Sequence, residues 1–362
     1  MRLSWQLVVC LSLLLAFDPG LPGQQEVSPR PYVLHAYVNL VQVPTLALTS
    51  DFTPLPAMAR TQFSLSLDGG PAFHPTRMHV EGDEPISLAI LLDATGDQDR
   101  ILHVLPQALA SLARTSLNSR DHVSIYAMDC HLIRTGLNLP ADPAVLQSAV
   151  ERGLKEPTLH GTKTHGACGR SLTTWDAVSR VTQLLGDESG RRALLLVSTG
   201  HDHKSRNTPA TVLHLAVAKS VSIFAIRDLL RFRGDFGLNR FPASTRPIYL
   251  ALADSSEDQF TELCESTGGL IITLDSDYLR QGLEQFIALL RNRYILEFPR
   301  PNTHVGGEHR IDVSIPSRNT FIVTTGVSVP LPDAALESDP NTIPSSPSPA
   351  VLGNRKVLPH TP

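Results

Sequence analysis

Ser87-Leu88-Ala89-Ile90-Leu91-Leu92 is an apolar run of strand length that stops abruptly at Asp93-Ala94-Thr95-Gly96-Asp97. A run that is apolar at successive positions, and closed by turn residues, fits a strand covered on both faces, as in a parallel sheet. Parallel neighbours cannot be joined by a tight hairpin and need crossover helices. The chain supplies them. Strand patterns over 87–93, 121–128, 192–198, 221–227 and 270–275 alternate with helical patterns over 98–117, 142–153, 172–186, 207–219, 256–267 and 277–293. This alternation across 86–294 predicts an α/β domain with a doubly wound, mostly parallel sheet and helices on both faces. A short antiparallel edge strand is expected near 131–137. Leu279, Leu283, Phe286, Ile287 and Leu290 give the last helix one apolar face, and Gly268-Gly269 stops the helix before it. Pro106 falls inside the first helical pattern and predicts a kink or a late start there.

The flanks read differently. In 32–80, Tyr37, Leu40, Val41, Val43, Leu46 and Leu48 follow a period near two, and so do Phe63, Leu65 and Leu67 before the Asp68-Gly69-Gly70 turn. This is the pattern of an antiparallel β module. Residues 294–329 return to strand patterns in Tyr294–Phe298, Ile311–Ile315 and Phe321–Val323. Each flank is too small to bury an apolar face alone, so the two are expected to lie together as one small sheet. Beyond Pro330 the chain is rich in proline and serine, and 331–362 is expected to be disordered.

At the other end, Arg2 precedes an uncharged stretch from Leu7 to Phe17 and then Pro19, Gly20, Pro22 and Gly23. Residues 1–23 therefore read as a secretory signal, with cleavage between Ala16 and Gly23. No later stretch approaches the roughly 20 apolar residues of a membrane-spanning helix. The expected product is exported, periplasmic or extracellular, with no integral membrane segment after cleavage. About 340 residues would remain, enough for one large domain with an appendage. The formal net charge of −4 offers no basic surface for nucleic acid. Cys130, Cys168 and Cys264 survive cleavage and make no disulfide framework; a single Cys130–Cys168 bridge and a pair of buried thiols both fit.

Ligands of open α/β sheets sit outside the carboxyl ends of the strands. Asp93, Thr95 and Asp97 stand at such an end and are candidate oxygen ligands for a hard cation such as Mg²⁺. Asp97 has an ordinary alternative use as the N-cap of the following helix. The same end of the sheet carries His160, His165 and Cys168 in one loop and His201-Asp202-His203 in another. Imidazole and thiolate suit zinc or copper, so a metal-handling protein or metal-dependent enzyme built on this His/Cys/Asp cluster is the alternative function. No nucleophile elbow, zinc-protease helix or phosphate loop is present, so no catalytic residue is assigned and the chain is not expected to be an enzyme. Arg233-Gly234-Asp235, in a loop over 229–247, is a three-residue match of the kind that chance supplies.

Taken in order, the strand ending in Asp93-Ala94-Thr95-Gly96-Asp97, the helix start Trp175-Asp176-Ala177 and the strand-loop from Arg191 to Asp202 resemble a von Willebrand factor type A domain. More narrowly, the chain resembles the secreted bacterial relatives of that family. Val38-Asn39-Leu40-Val41-Gln42-Val43 is similar to their leading valine run. Thr267-Gly268-Gly269 and Leu290-Arg291-Asn292-Arg293-Tyr294 are similar to their closing motifs. The resemblance spans about residues 35–325 and implies a protein-binding module with a metal-ion-dependent adhesion site that holds Mg²⁺. Carried over position by position, Asp93 matches the first acid of that site and Thr95 the hydroxyl, while Asp97 stands where a serine belongs. Leu172 falls at the second-loop threonine, with Ser171 and Thr173 beside it. Thr199, within Ser198-Thr199-Gly200, falls at the third-loop acid. The resemblance thus implies a degenerate site. The partner is expected to be another protein, bound through Asp93, Thr95, Asp97, Thr199, His201, Asp202 and His203 with little dependence on magnesium.

Overall fold

The computed structural model describes residues 40–49, 53–55, 57–94, 99–129, 131–159, 173–202, 205–229, 248–251, 259–299, 307–316, 320–324 and 327–329. All of these belong to one compact unit. The expected signal segment and Pro/Ser-rich tail lie outside the described residues. So do Tyr37, Thr95, Asp97, Cys130, His160, His165, Cys168, Leu172, His203 and the Arg233-Gly234-Asp235 tripeptide. Cys264 is buried with its thiol reduced.

Three short strands open the described chain: β1 (Leu40–Leu48), β2 (Ser64–Leu67) and β3 (Arg77–Val80). The α/β portion follows as β4 (Ile86–Asp93), α1 (Asp99–Thr115), β5 (His122–Met128), β6 (Leu132–Pro140), α2 (Pro143–Leu159), α3 (Thr174–Leu185), β7 (Arg191–Val197), α4 (Pro209–Ala218), β8 (Val221–Asp228), β9 (Ile248–Ala251), α5 (Gln259–Ser266), β10 (Ile271–Leu274) and α6 (Leu279–Arg291). It is followed by β11 (Tyr294–Pro299), β12 (Gly307–His309), β13 (Ile311–Ser314), β14 (Phe321–Thr324) and β15 (Val327–Val329).

The main sheet has the order β6-β5-β4-β7-β8-β10-β9. Its inner strands run parallel, and β6 and β9 pair antiparallel at its two edges. This is an α/β fold with a mostly parallel sheet. Every residue of β4 is buried, and the period of two divides them between two cores. Leu88, Ile90 and Leu92 face α1, α2 and α6 through residues such as Leu105, Val150 and Phe286. Ala89 and Leu91 face α3, α4 and α5 through Val178, Val212 and Leu263. Helices therefore cover both faces, which is why this run carries no polar alternation.

Several boundaries differ from the sequence reading. Helix α2 continues six residues beyond the expected end at Gly153, because Leu146, Ala149, Val150 and Leu154 keep one face against the core. Helix α1 starts at Asp99, so the late start does not occur and the helix runs through Pro106. Pro106 has no N–H to offer the Leu102 carbonyl one turn back. The edge strand β6 reaches Pro140 instead of 137. Strand β9 has no counterpart among the expected strands; it is four residues long. That is too short for a period to be seen.

The flanking strands pair with one another. Strand β1 lies between β11 and β14, β3 adds to the other side of β11, and β2 pairs with β13, all antiparallel. Strand β1 carries Pro44, which a central strand tolerates poorly. Here β14 joins β1 only from Thr45 onward, so the missing N–H at Pro44 falls where the strand has one neighbour. Val41, Val43 and Ala47 pack with Phe63, Leu65 and Tyr294 in a separate small core. Leu46 and Leu48 point the other way, into the core beneath α6. Alternation along one strand thus fastens the small sheet to the large one. No described helix is long and apolar enough to cross a membrane.

Candidate functional site

The chain leaves β4 to build β5 and β6 on one side of it, then returns to build β7, β8 and β10 on the other. The crossover helix α1 covers one face and α4 the opposite face. A crevice between β4 and β7 follows from this reversal, and it is the place where open α/β sheets bind ligands. Asp93 ends β4 and Ser198 follows β7, so both stand at its mouth.

The two loops are tied directly across the crevice. Asp93 is only 1% exposed, and the Ser198 hydroxyl donates to its Oδ2 at 2.6 Å. Ser198 Oγ in turn accepts from the Gly200 amide at 3.0 Å. A buried carboxylate needs such charge-assisted donors. Gly200 has φ +82°, and a Cβ there would lie 2.3 Å from the Phe260 ring. Only glycine fits between the loop and that ring. Phe260 itself packs edge-on to Trp175 at 5.8 Å, and the Arg227 guanidinium lies over it at 5.2 Å. The third loop therefore rests on an aromatic floor contributed by α3 and α5.

Beyond Gly200 the loop is clamped to α3. Asp202 Oδ1 accepts from the Thr174 amide at 2.7 Å and the Trp175 amide at 3.5 Å. The Thr174 hydroxyl donates to the His201 carbonyl at 2.7 Å. In the reverse direction, Asp176 in the first turn of α3 accepts from the backbone amides of Arg206 (3.1 Å) and Asn207 (2.9 Å), and from the Asn207 side-chain amide (2.8 Å). Ser205 links the two carboxylates, donating its hydroxyl to Asp202 at 2.6 Å and accepting from the Asp176 amide at 3.1 Å. Orphan amides at a helix start call for such acceptors. Burial pushes the Asp176 carboxyl upward, but the Asn207 and Arg206 donors outweigh it and hold the group below the ordinary carboxylate range.

The structure thus assigns the sequence candidates different tasks. It brings Asp93 and Thr199 to the crevice and leaves His201 exposed on the loop beyond. Asp202, a candidate contact residue, has its carboxylate turned onto the amides at the start of α3. Thr95, Asp97 and His203 lie outside the described residues. Among the described residues, no group of three or more His, Cys, Asp or Glu side chains is arranged to hold a metal ion. The donors described at the crevice are one carboxylate, already bonded to Ser198, and the neutral hydroxyls of Ser198 and Thr199. Mg²⁺ requires near-octahedral oxygen ligation with carboxylate charge, and this described set does not fit it.

Sequence reasoning missed four residues. Ser205 and Asn207 give no signal, and Ser198 gives only its place beside Thr199, since the role of each depends on which loop it meets. Asp228 did give one: it ends the apolar run of β8 as Asp93 ends that of β4. It is 1% exposed and lies 3.7 Å from the Arg100 guanidinium, which also bridges to Asp275 at 3.2 Å.

No family model matches the sequence, and no curated protein matches it. Solved structures similar to this chain include proximal thread matrix protein 1 from the mussel byssus, at TM-score 0.42 and 11% identity over 62% of this chain and 50% of that one. The same mussel protein with a zinc-occupied MIDAS motif gives TM-score 0.38 and 13% identity, covering 58% of this chain and 49% of that one. An aerotolerance-related membrane protein from Bacteroides fragilis gives TM-score 0.37 and 12% identity, covering 56% and 98%. The chain spans about half the length of the mussel protein that it matches.

Proposed function

We propose that this chain is an exported, non-enzymatic protein-binding module of the von Willebrand factor A kind, whose adhesion site works without a metal ion. The observation that carries the reading is the hydrogen bond from Ser198 to the buried Asp93 at the switch point of the sheet. It joins the two loops that a metal would otherwise have to bridge, and it does so with a group the chain itself supplies. A single hydroxyl–carboxylate bond of this kind contributes about 1.5–3 kcal/mol, enough to fix a loop. The clamp of Asp202 and Asp176 then holds the neighbouring segment against α3, so that Thr199 and His201 are presented on a preorganised base. Preorganisation lowers the entropy lost on association.

The test is affinity capture from the exported fraction, performed with and without a chelator. Capture that survives the chelator and is lost in Ser198→Ala, with the fold intact by circular dichroism, supports the reading. Capture that requires Mg²⁺ and disappears on chelation overturns it, as does tight Mg²⁺ uptake in calorimetry that is abolished by Asp93→Ala.

A further inference from the structure

The flanking module carries one peptide bond that its own chemistry puts at risk. Asp68-Gly69 is the only Asp-Gly step in the sequence, and there is no Asn-Gly step. Such a step is reactive because glycine places no side chain in the way of its own amide nitrogen. Here it forms the two central residues of the turn that follows β2. Gly70 donates to the Leu67 carbonyl at 2.8 Å, and Asp68 and Gly69 have φ +50° and +72°. Positive φ at both positions is the turn geometry that favours Asp-Gly. Gly69 faces open space, and among the described residues no acceptor is bonded to its amide. The nucleophile is therefore free. The electrophile is held. Asp68 Oδ2 lies 2.6 Å from Nδ1 of His309, and Oδ1 accepts from the Arg310 amide at 3.0 Å. The Asp68 amide in turn donates to the Arg310 carbonyl at 2.8 Å. An ionised carboxylate only accepts, so Nδ1 carries the hydrogen. The side chains of His309 and Asp68 are 5% and 12% exposed, so little water competes for the pair.

We propose that Asp68-Gly69 is a site of spontaneous backbone isomerisation, held in check by His309 and the Arg310 amide. The Gly69 nitrogen attacks Cγ of Asp68, its proton and the carboxyl hydroxyl leave as water, and a five-membered succinimide forms. Water then adds at either ring carbonyl. One opening returns aspartate; the other routes the main chain through the side-chain carboxyl as isoaspartate. The water released in the first step is taken up in the second, and nothing is oxidised or reduced. Attack turns the carboxyl group towards Gly69 and breaks both of its charge-assisted bonds, which adds their cost to the barrier. Isoaspartate lengthens the main chain by one carbon at the turn, where β2 and β13 start to pair at Leu67 and Ile311. The reaction would therefore undo the joint between the two flanks. The site belongs to the flanking module and does not depend on what binds at the crevice.

The experiment ages the full chain at neutral pH, folded and in urea, and measures isoaspartate by enzymatic methylation, with peptide mapping to place it at Asp68. The folded wild-type chain is expected to accumulate it roughly tenfold more slowly than the unfolded one, since urea removes the bonds to the carboxylate. His309→Ala is expected to raise the folded rate by roughly tenfold, the factor that one charge-assisted hydrogen bond corresponds to. His309→Phe keeps the ring volume without a donor and should do the same; it serves where the alanine variant does not fold. His309→Asn keeps a donor near the Nδ1 position and is expected to stay close to the wild-type rate. Circular dichroism checks that each variant is folded at the ageing temperature. Equal rates for the folded and unfolded wild-type chain, a wild-type rate in folded His309→Ala or His309→Phe, or isoaspartate confined to other positions would each overturn the proposal. So would a His309→Asn rate as high as that of the alanine variant, since the change would then report a looser fold and not the missing donor.

Discussion

The two ends of the main sheet spend their buried charges in opposite ways. At the amino end, Arg293 and Glu81 are 2% and 6% exposed and form a two-pronged pair, Nε to Oε2 at 2.7 Å and Nη2 to Oε1 at 3.1 Å. Arg191 adds a third charge at 3.3 Å from Glu81, and its Nη2 donates to the Glu81 carbonyl at 2.9 Å. Burial lowers the Arg191 pKa, with Glu81 opposing that shift. Arg291 pairs with buried Asp121 at 2.7 Å, and Asp121 also accepts the Ile86 amide at 2.9 Å. These contacts join β3, β4, β7 and the end of α6 into one block. At the carboxyl end, Asp93, Asp202 and Asp176 around the switch point bond to backbone amides and hydroxyls and shape loops, while farther along the same end Arg100 pairs with Asp228 and Asp275. Charge paired with charge welds the base; charge paired with amides and hydroxyls poses the switch-point loops of the rim.

If that contrast is right, the largest effect on stability comes from the base. Arg293→Ala leaves Glu81 without its main partner in a buried place, which costs about 3–5 kcal/mol. Urea denaturation is expected to show this loss. Replacing all three charges together, Arg293→Met and Arg191→Met with Glu81→Leu, should cost less than expected from the single variants, since no uncompensated charge of this group remains. A cost of the triple variant equal to the sum of the single ones would show that packing, not charge, holds this end.

At the rim the same measurement should read smaller. Ser198→Ala removes one donor from buried Asp93 and is expected to cost about 1–3 kcal/mol, while capture of the partner falls sharply. The comparison breaks if Arg293→Ala impairs capture at temperatures where the protein is still folded. Asp202→Ala removes the acceptor for the first amides of α3, an effect of about 1 kcal/mol. Hydrogen exchange at Thr174 and Trp175 should accelerate in that variant, with the amides of the base unchanged.

The base was more legible in the sequence than the rim. The apolar run before Asp93 and the alternation of strand and helix patterns gave the α/β class, because burial on two faces leaves a mark on every residue of β4. The closing segment Leu290-Arg291-Asn292-Arg293-Tyr294 could be matched to a family motif, but its physical reason appears only in space. Arg291 reaches Asp121, 170 residues away, and Arg293 reaches Glu81, 212 residues away. The rim was legible as a location, since loops at the carboxyl ends of strands are where ligands bind. Its roles were not. Asp202 and His201 are neighbours in sequence, yet one turns inward to cap α3 and the other is exposed. That choice depends on the position of a helix start 27 residues earlier. Strand β9 escaped for a simpler reason: four residues carry too little pattern.

The smallest expected effect lies in the pH dependence of the clamp. Asp176 is held below its ordinary value of 3.8 by the Asn207 and Arg206 donors, against the upward push of burial. Its folded pKa therefore lies below its unfolded one. As pH falls, the unfolded chain takes up the proton first, so stability falls with pH. The contribution is complete above the unfolded pKa and is lost as pH drops through the folded one. In Asp176→Asn that titration is absent, so the variant should lose less stability than the wild-type chain between pH 6 and pH 3. The group is partly exposed and its donors are neutral, so solvent screening keeps the difference modest, below about 1 kcal/mol. Denaturant midpoints at the two pH values measure it. Equal acid sensitivity of the two proteins would show that the clamp at the rim carries no net electrostatic stabilisation. The loop would then be held by the Ser198 bond, the Asp202 contacts to the start of α3 and the Phe260 floor.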